Sequence, residues 1–256
     1  MKIATWNVNS LRVRLPHLLD WLAAQSPDVA CLQETKCEDE TFPAAELRAA
    51  GYESLHHGQR AYNGVAILAR SPASEVRRGI PAFVDEQSRV IAADVAGMRV
   101  VSVYVPNGQA PGSDKFAYKL RWFEALASWL GAELAAHPRL AVLGDFNVAP
   151  EDRDVHDPAM WEGKIHVSEP ERTALARVVA AGFTDAFRLF DQPEKSFSWW
   201  DYRMGAFRRN MGLRIDHVLL SPELAKACRS CSIDIAPRRL ERPSDHAPVV
   251  CELAIP

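Results

Sequence analysis

The sequence predicts a single domain of the mixed α/β class, and three observations carry that expectation. Short apolar runs that fit buried strands recur from end to end, apolar stripes at helical spacing separate them, and no repeat, low-complexity segment or Gly/Ser-rich linker divides the 256 residues. The clearest run is Arg139-Leu140-Ala141-Val142-Leu143-Gly144-Asp145-Phe146-Asn147. Four apolar residues bounded by Pro138 and Gly144 read as a short strand buried on both faces, and Asp145 and Asn147 leave its end together. Two residues apart in an extended segment, both side chains point the same way and can grip one small object, a water or a phosphate. On this stretch alone they could equally close a turn.

Taken in order, Lys2 to Trp6 reads as a first strand with Asn7 at its exit. Pro16 suits the first turn of a helix whose stripe is Leu18, Leu19, Leu22 and Ala23, ending near Gln25. Pro27 to Glu34 is a buried strand that ends on a carboxylate. Phe42 to Ala50 fits a short helix stopped by Gly51, and Gly64 to Ala69 another strand. Arg89–Val95 and Arg99–Val105 form a hairpin about Ala96-Gly97-Met98, which delivers Tyr104 into the turn Pro106-Asn107-Gly108. Ser113 to Ala136 carries a helix stripe at Phe116, Leu120, Phe123, Leu126, Ala127, Leu130 and Leu134, a core signal rather than a functional one. Ala149 to Pro170, charged and proline-bearing, reads as a long ordered loop, and Glu171 to Ala181 as a helix closed by Gly182. Ile215 to Leu220 resumes a strand, and Ser244-Asp245-His246-Ala247-Pro248 leads into a last one at Val249-Val250-Cys251.

Composition narrows the class. Apolar content is 48% and charged content 25%, the balance of an ordinary globular chain, and the net charge of −3 gives no overall basicity for nucleic acid. Any such site must be local, and one stretch qualifies. From Phe197 to Arg214 aromatics alternate with arginines, and no acid lies between Tyr202 and Arg214. Arginine beside exposed aromatics suits a phosphate backbone and unstacked bases, whereas the plainer alternative is a solvated charge run over buried rings. Five cysteines, an odd number without a paired pattern, argue against a disulfide framework, so Cys228 and Cys231 read as structural thiols in a reducing compartment. With no signal peptide and no membrane-length apolar run, a cytoplasmic location is expected, nucleoid-associated if the chain binds DNA.

The polar residues at strand ends are Asn7, Glu34, Tyr104, Asn107, Asp145, Asn147, Asp216, Asp245 and His246. Oxygen donors with one histidine and no cysteine select a hard cation, Mg²⁺ or Mn²⁺, over zinc. Glu34 and Asp245 would suffice to hold it. Asp145 can orient a water or take its proton, Asn147 can donate to a phosphate oxygen, and His246, fixed by Asp216, can set a positive charge on that phosphate. Tyr104 can donate to the oxygen that leaves.

Six segments in order, Thr5-Trp6-Asn7-Val8-Asn9, Leu32-Gln33-Glu34-Thr35-Lys36, Tyr104-Val105-Pro106-Asn107-Gly108, Gly144-Asp145-Phe146-Asn147, Leu213-Arg214-Ile215-Asp216 and Ser244-Asp245-His246-Ala247-Pro248, resemble the signatures of the exonuclease III branch of the endonuclease/exonuclease/phosphatase superfamily. The resemblance spans essentially the whole chain. It implies a four-layer αββα sandwich of two mixed sheets, and a Mg²⁺-dependent monomeric enzyme acting on double-stranded DNA. Such enzymes cut 5′ to abasic sites, leaving a 3′-hydroxyl and a 5′-deoxyribose phosphate, and many trim damaged 3′ ends or act as 3′→5′ exonucleases. By position, Asn7, Glu34, Asp145, Asn147, Asp245 and His246 match the metal site, and Tyr104, Asp145, Asn147, Asp216 and His246 the catalytic set. DNA contacts are expected from Asn107, Trp199, Trp200, Arg203, Arg208, Arg209 and Leu213, with an exposed tryptophan and Leu213 forming the apolar surface for a bare sugar. Animal relatives carry tryptophan where Leu213 stands, and the bacterial type places its aromatic near Trp199 and Trp200, as here. Two alternatives are a phosphatase for a soluble phosphate ester, which would not need the 197–214 stretch, and a non-catalytic DNA-binding relative, which would have lost part of the metal set.

Overall fold

A computed structural model describes residues 1–255. The first third of the chain holds β1 (Lys2–Asn7), α1 (Leu11–Gln25), β2 (Val29–Gln33), α2 (Ala44–Ala49), β3 (Glu53–His57), β4 (Val65–Ala69) and β5 (Ala73–Arg78). The middle holds β6 (Val90–Val95), β7 (Met98–Tyr104), α3 (Asp114–Ala136), β8 (Leu140–Asp145), α4 (Pro158–Trp161), α5 (Glu169–Ala180) and β9 (Thr184–Asp185). β10 (Trp199–Trp200), β11 (Gly212–Leu213), β12 (Asp216–Leu220), α6 (Pro222–Ala227), β13 (Cys228–Ile233) and β14 (Val249–Leu253) complete it. Two six-stranded sheets result, ordered β13-β14-β1-β2-β4-β3 and β5-β6-β7-β8-β12-β9, with β10 and β11 a separate two-stranded ribbon.

The apolar runs are buried on both faces because successive side chains serve different layers. Ile3, Cys31 and Ile67 of the first sheet meet Ala93, Val100, Leu143 and Val218 of the second in the central core. Their neighbours Ala4, Leu32 and Ala66 turn outward onto Leu18, Leu22 and Leu47 of α1 and α2. On the other side Val101, Val142 and Leu219 receive Trp122, Phe123, Leu130, Leu175 and Val178 of α3 and α5. The expected four-layer αββα order is therefore present, each buried aliphatic or aromatic side chain contributing roughly 1.5–3 kcal/mol relative to exposure.

Strand directions decide where the chemistry lies. In each sheet one central pair is parallel, β1 with β2 and β7 with β8, so the exits of four strands face one rim. β14 runs antiparallel to β1 and β12 antiparallel to β8, which brings the entries of those strands to the same rim, Asp216 directly opposite Asp145.

Several boundaries differ from expectation. The first helix begins at Leu11, so Pro16 lies inside it. Gly144 does not end its strand: β8 runs through it to Asp145, and a Cβ there would lie 1.9 Å from the Val103 carbonyl oxygen of β7. The 149–170 segment is not a bare loop but contains a 3₁₀ turn at Asp152–Asp154 and the single-turn α4. Edge strands β3, β5 and β13 have no counterpart in the sequence reading, because their half-exposed or exposed residues break the apolar runs. All five cysteines are free and buried; Cys228 and Cys251 lie 3.4 Å apart as thiols.

Arg214, expected on an exposed basic stretch suited to nucleic acid, is a core residue. Its Nε donates to Asp154 Oδ1 (2.6 Å) and its Nη1 to Asp185 Oδ2 (2.8 Å), while Arg188 also pairs with Asp154. Asp154 and Arg214 are 0% and 1% exposed, so neither has water to fall back on. Burial raises the Asp154 carboxyl, but Arg214 and Arg188 outweigh it and hold the group below the ordinary carboxylate value. Asp154→Asn, which orphans these guanidinium contacts, is expected to cost about 3 kcal/mol at neutral pH. With a depressed folded pKa, the contribution is complete above the ordinary aspartate pKa and fades as pH falls through the folded value. Urea unfolding of wild type and variant should thus show a gap at pH 7 that narrows in acid.

Candidate active site

The rim gathers side chains from both sheets. Asn7, fully buried at the exit of β1, donates through Nδ2 to Glu34 Oε1 and to Asp145 Oδ2, 2.9 Å each. One carboxamide thus ties the end of the first sheet to the end of the second. Glu34 follows β2 at φ 50°, a left-handed backbone rare for a residue with this side chain, and its loop is zipped to the 8–11 segment by Ser10 N–H to Glu34 O (2.8 Å) and Leu11 N–H to Thr35 O (3.0 Å). Its other oxygen meets Lys36 Nζ at 2.7 Å.

Asp145 and Asn147 do not share an extended segment as expected. Asn147 sits at φ 52°, a conformation asparagine tolerates, and the turn lets its backbone N–H donate to Asp145 Oδ1 (2.9 Å). Its Nδ2 donates to Val105 O (3.0 Å) and to Asp145 Oδ2 (3.3 Å). Burial pushes the Asp145 carboxyl up to about 7; the His246 charge and the Asn7 hydrogen bond pull it down, and the Asp216 and Glu34 charges push it further up.

His246 precedes β14. Its Nδ1 lies 2.9 Å from Asp216 Oδ2, which leaves Nε2 facing Asp145 Oδ2 at 3.7 Å. Burial lowers its pKa, but the carboxylates of Asp216 and Asp145 outweigh it and raise the imidazole to about 10, so the ring carries a proton and a charge at neutral pH. Asp216 is held in turn by Ser198, whose Oγ donates to Asp216 Oδ2 (2.7 Å) and accepts from the N–H groups of Ile215 and Asp216. Tyr104 ends β7 beneath the Arg89 guanidinium, 4.7 Å above its ring. Burial, with the charges of Glu34 and Asp145, holds its phenol well above the ordinary value, so it stays a proton donor.

Glu34, Asp145 and His246 offer ligand atoms within 4.8 Å of one another, a group that can hold a metal ion. The donors fit a hard divalent cation: two carboxylates in mutual repulsion, which the Asn7 carboxamide, the Lys36 ammonium and the charged imidazole relieve in part. Asp245 does not join this group. Its Oδ1 accepts from Asn9 Nδ2 (2.9 Å) and its Oδ2 from Trp199 Nε1 (3.0 Å), and Asn9 in turn accepts from Lys36 Nζ (2.6 Å). Asp245 is therefore linked to Glu34 through two intervening residues, Asn9 and Lys36.

The expected DNA-contacting residues separate. Trp199 is half-buried, edge-on to Trp161 with centroids 6.5 Å apart and 6.1 Å from the His166 ring. Trp200 and Leu213 are core residues, 2% and 0% exposed, because the β10–β11 ribbon pairs Trp199 with Leu213 and turns Trp200 onto Phe207. Leu213 therefore cannot edge an open surface. Arg203 is exposed and paired with Asp201, and Arg208 and Arg209 are exposed on the same loop. Asn107 stands beside Asn147, its Nδ2 3.5 Å from Asn147 Oδ1.

Sequence reasoning missed Asn9, Lys36, Ser198, Lys119 and His166. Asn9 and Lys36 lie within the quoted motifs, so their spacing could have raised them. Lys119 falls between core positions of a helix stripe and gives no signal of its own.

Residues 4–246 match the endonuclease/exonuclease/phosphatase family. The chain is 36% identical to exodeoxyribonuclease III of Haemophilus influenzae, over 98% of this chain and 99% of that protein. Among solved structures it is similar to a 3′ phosphatase from Neisseria bound to a product DNA hairpin (48% identity, 99% of both chains, TM-score 0.97) and to an AP endonuclease from Archaeoglobus fulgidus (38% identity, 100% of both chains, TM-score 0.96). A match over nearly the full length means that this chain belongs to the endonuclease/exonuclease/phosphatase family.

Proposed function

We propose that the protein is a Mg²⁺-dependent DNA repair nuclease of the exodeoxyribonuclease III type, which hydrolyses phosphate esters at abasic sites and at 3′ ends. The observation that carries the reading is the gathering at one rim of Glu34, Asp145 and the Asp216-held His246, with side-chain atoms within 4.8 Å of one another. Mn²⁺ should substitute, and the enzyme acts as a monomer on double-stranded DNA in the cytoplasm.

Glu34 and Asp145 would hold the cation, with Asn7 spanning the two carboxylates. Bound there, Mg²⁺ neutralises negative charge on the phosphate and on the departing oxygen. The side chains supply the rest. Asp145 orients the attacking water or takes its proton. His246, held charged by Asp216, sets a positive charge on a non-bridging phosphate oxygen, and Asn147 donates to another. Tyr104 keeps its proton for the leaving oxygen.

A second reading, 3′-end processing as the main activity, is favoured by a specific observation. With Trp200 and Leu213 buried, the apolar surface expected to receive a bare sugar shrinks to Trp199, and one structure at 48% identity is a 3′ phosphatase. A gel assay that sets a duplex with one abasic-site analogue beside duplexes with a recessed 3′-hydroxyl and a 3′-phosphate separates these readings. Cleavage of any of them that stops in EDTA and returns with Mg²⁺ supports the proposal, and turnover in EDTA contradicts it.

Two residue-level outcomes follow from the geometry. Asp145→Asn keeps shape but removes the proton acceptor, so single-turnover cleavage should fall by about 10²-fold to 10⁴-fold with DNA affinity retained. A rate equal to wild type would show that Asp145 is not the base. The exposed loop should behave differently. Replacing Arg208 and Arg209 by Ala should weaken binding to all duplexes alike and flatten its salt dependence, whereas Trp199→Ala should lower the ratio of abasic-site to intact-duplex cleavage. An unchanged ratio in a folded Trp199→Ala protein would place lesion reading elsewhere.

A further inference from the structure

The interior of α3 contains a lysine that the chemistry above does not use. Lys119 is 0% exposed, and an ammonium stripped of water is tolerated only when its three N–H bonds find acceptors. They do. Nζ lies 2.5 Å from Glu171 Oε1 of α5, 2.8 Å from the backbone oxygen of Asn147 and 3.1 Å from that of Asn107. These carbonyls belong to the turns that follow β8 and β7, the parallel pair whose exits carry Asp145 and Tyr104.

The turns need such a tie. Asn147 stands in left-handed backbone with its carbonyl outside the strand ladder, and the Asn107 turn crosses Lys119 so closely that a Cβ at Gly108 would lie 2.9 Å from Lys119 Cδ. Glu171 extends the frame, accepting from the His166 N–H (3.0 Å) and the Ser168 hydroxyl (2.5 Å), and His166 Nδ1 lies 2.8 Å from the same Asn147 oxygen that Lys119 grips. A pair serving only to staple α3 to α5 would not need an ammonium aimed at two site-turn carbonyls.

We propose that Lys119 is a positioning residue for the hydrolytic reaction, setting the Asn147 carboxamide against Asp145 by gripping the two turns from below. The proposal rests on the functional reading above for its activity readout. Displacement of a reacting group by about 1 Å can cost about 10²-fold in rate, so a lost grip should appear in kcat with little change in KM for DNA.

Because Lys119→Met alone leaves Glu171 buried and unpaired, the test uses Lys119→Met/Glu171→Gln, which removes both charges. Melting temperature should recover towards wild type relative to Lys119→Met, while kcat stays about 10²-fold down. Introduced into an Asn147→Ala background, the same pair should cost less than about threefold, because the residue it acts through is already gone. Recovery of kcat with stability, or losses that multiply in the Asn147→Ala background, would reduce Lys119 to a staple. A readout without turnover keeps this apart from the functional reading. The side-chain amide resonance of Asn147 should move in Lys119→Met/Glu171→Gln while that of Asn7 stays in place. If the Asn147 resonance is unmoved, the positioning role is overturned. If wild type cleaves no DNA but the resonance moves, only the functional reading falls.

Discussion

The Asn7 carboxamide is the contact on which the site depends. Its two hydrogen bonds, to Glu34 and to Asp145, run from the exit of a central strand in one sheet to the exits of strands in both. The layers otherwise meet largely through apolar packing, which sets distance but not the bearing of a polar group, with a buried Gln33 Nε2 to Ser102 Oγ hydrogen bond (3.2 Å) among the few polar contacts between them. Carboxylates within 4.8 Å of one another repel by on the order of 3 kcal/mol at an effective dielectric of about 20; burial is the main cause that raises the Asp145 pKa, and the charges of Asp216 and then Glu34 add to it. The fold tolerates the repulsion because Asn7 on one side and the charged His246 on the other offset part of it. A cation would offset the remainder.

Around this centre two buried ion pairs fix backbone that no ladder holds. Arg214 with Asp154 and Asp185 anchors the 150–156 segment beside the entry of β12, two residues before Asp216 and three before His217. Lys119 with Glu171 anchors the exits of β7 and β8. Buried ion pairs add little net stability over apolar packing, yet breaking one is costly, which makes them suited to specifying a geometry.

Much of this was legible in the sequence. Strand runs that end on Asn7, Glu34, Tyr104 and Asp145 predict a common rim, since parallel central strands put like ends together. What could not be read has physical causes. Edge strands β3, β5 and β13 carry exposed or half-exposed side chains and so lack an apolar signature. Gly144 reads as a turn former although it is required by the close approach of Val103, and Asn147 reaches Asp145 through a left-handed turn rather than by period-two alternation. Arg214 and Lys119 look like surface charge because a sequence does not reveal which cation is matched by a distant carboxylate. Leu213 and Trp200 face inward for the same reason: their neighbours come from segments far along the chain.

The central claim is that Glu34 and Asp145, clasped by Asn7, form an electrostatically strained cation site. Thermal melting of wild type and Glu34→Gln, each with and without MgCl₂, tests it without reference to any substrate. At a hundredfold excess over Kd a bound ion stabilises the fold by about 2.7 kcal/mol, a rise of roughly 5 °C or more for a chain of this size. The account predicts that rise in wild type and its loss in Glu34→Gln. An equal rise in both proteins, or none in either, would contradict it.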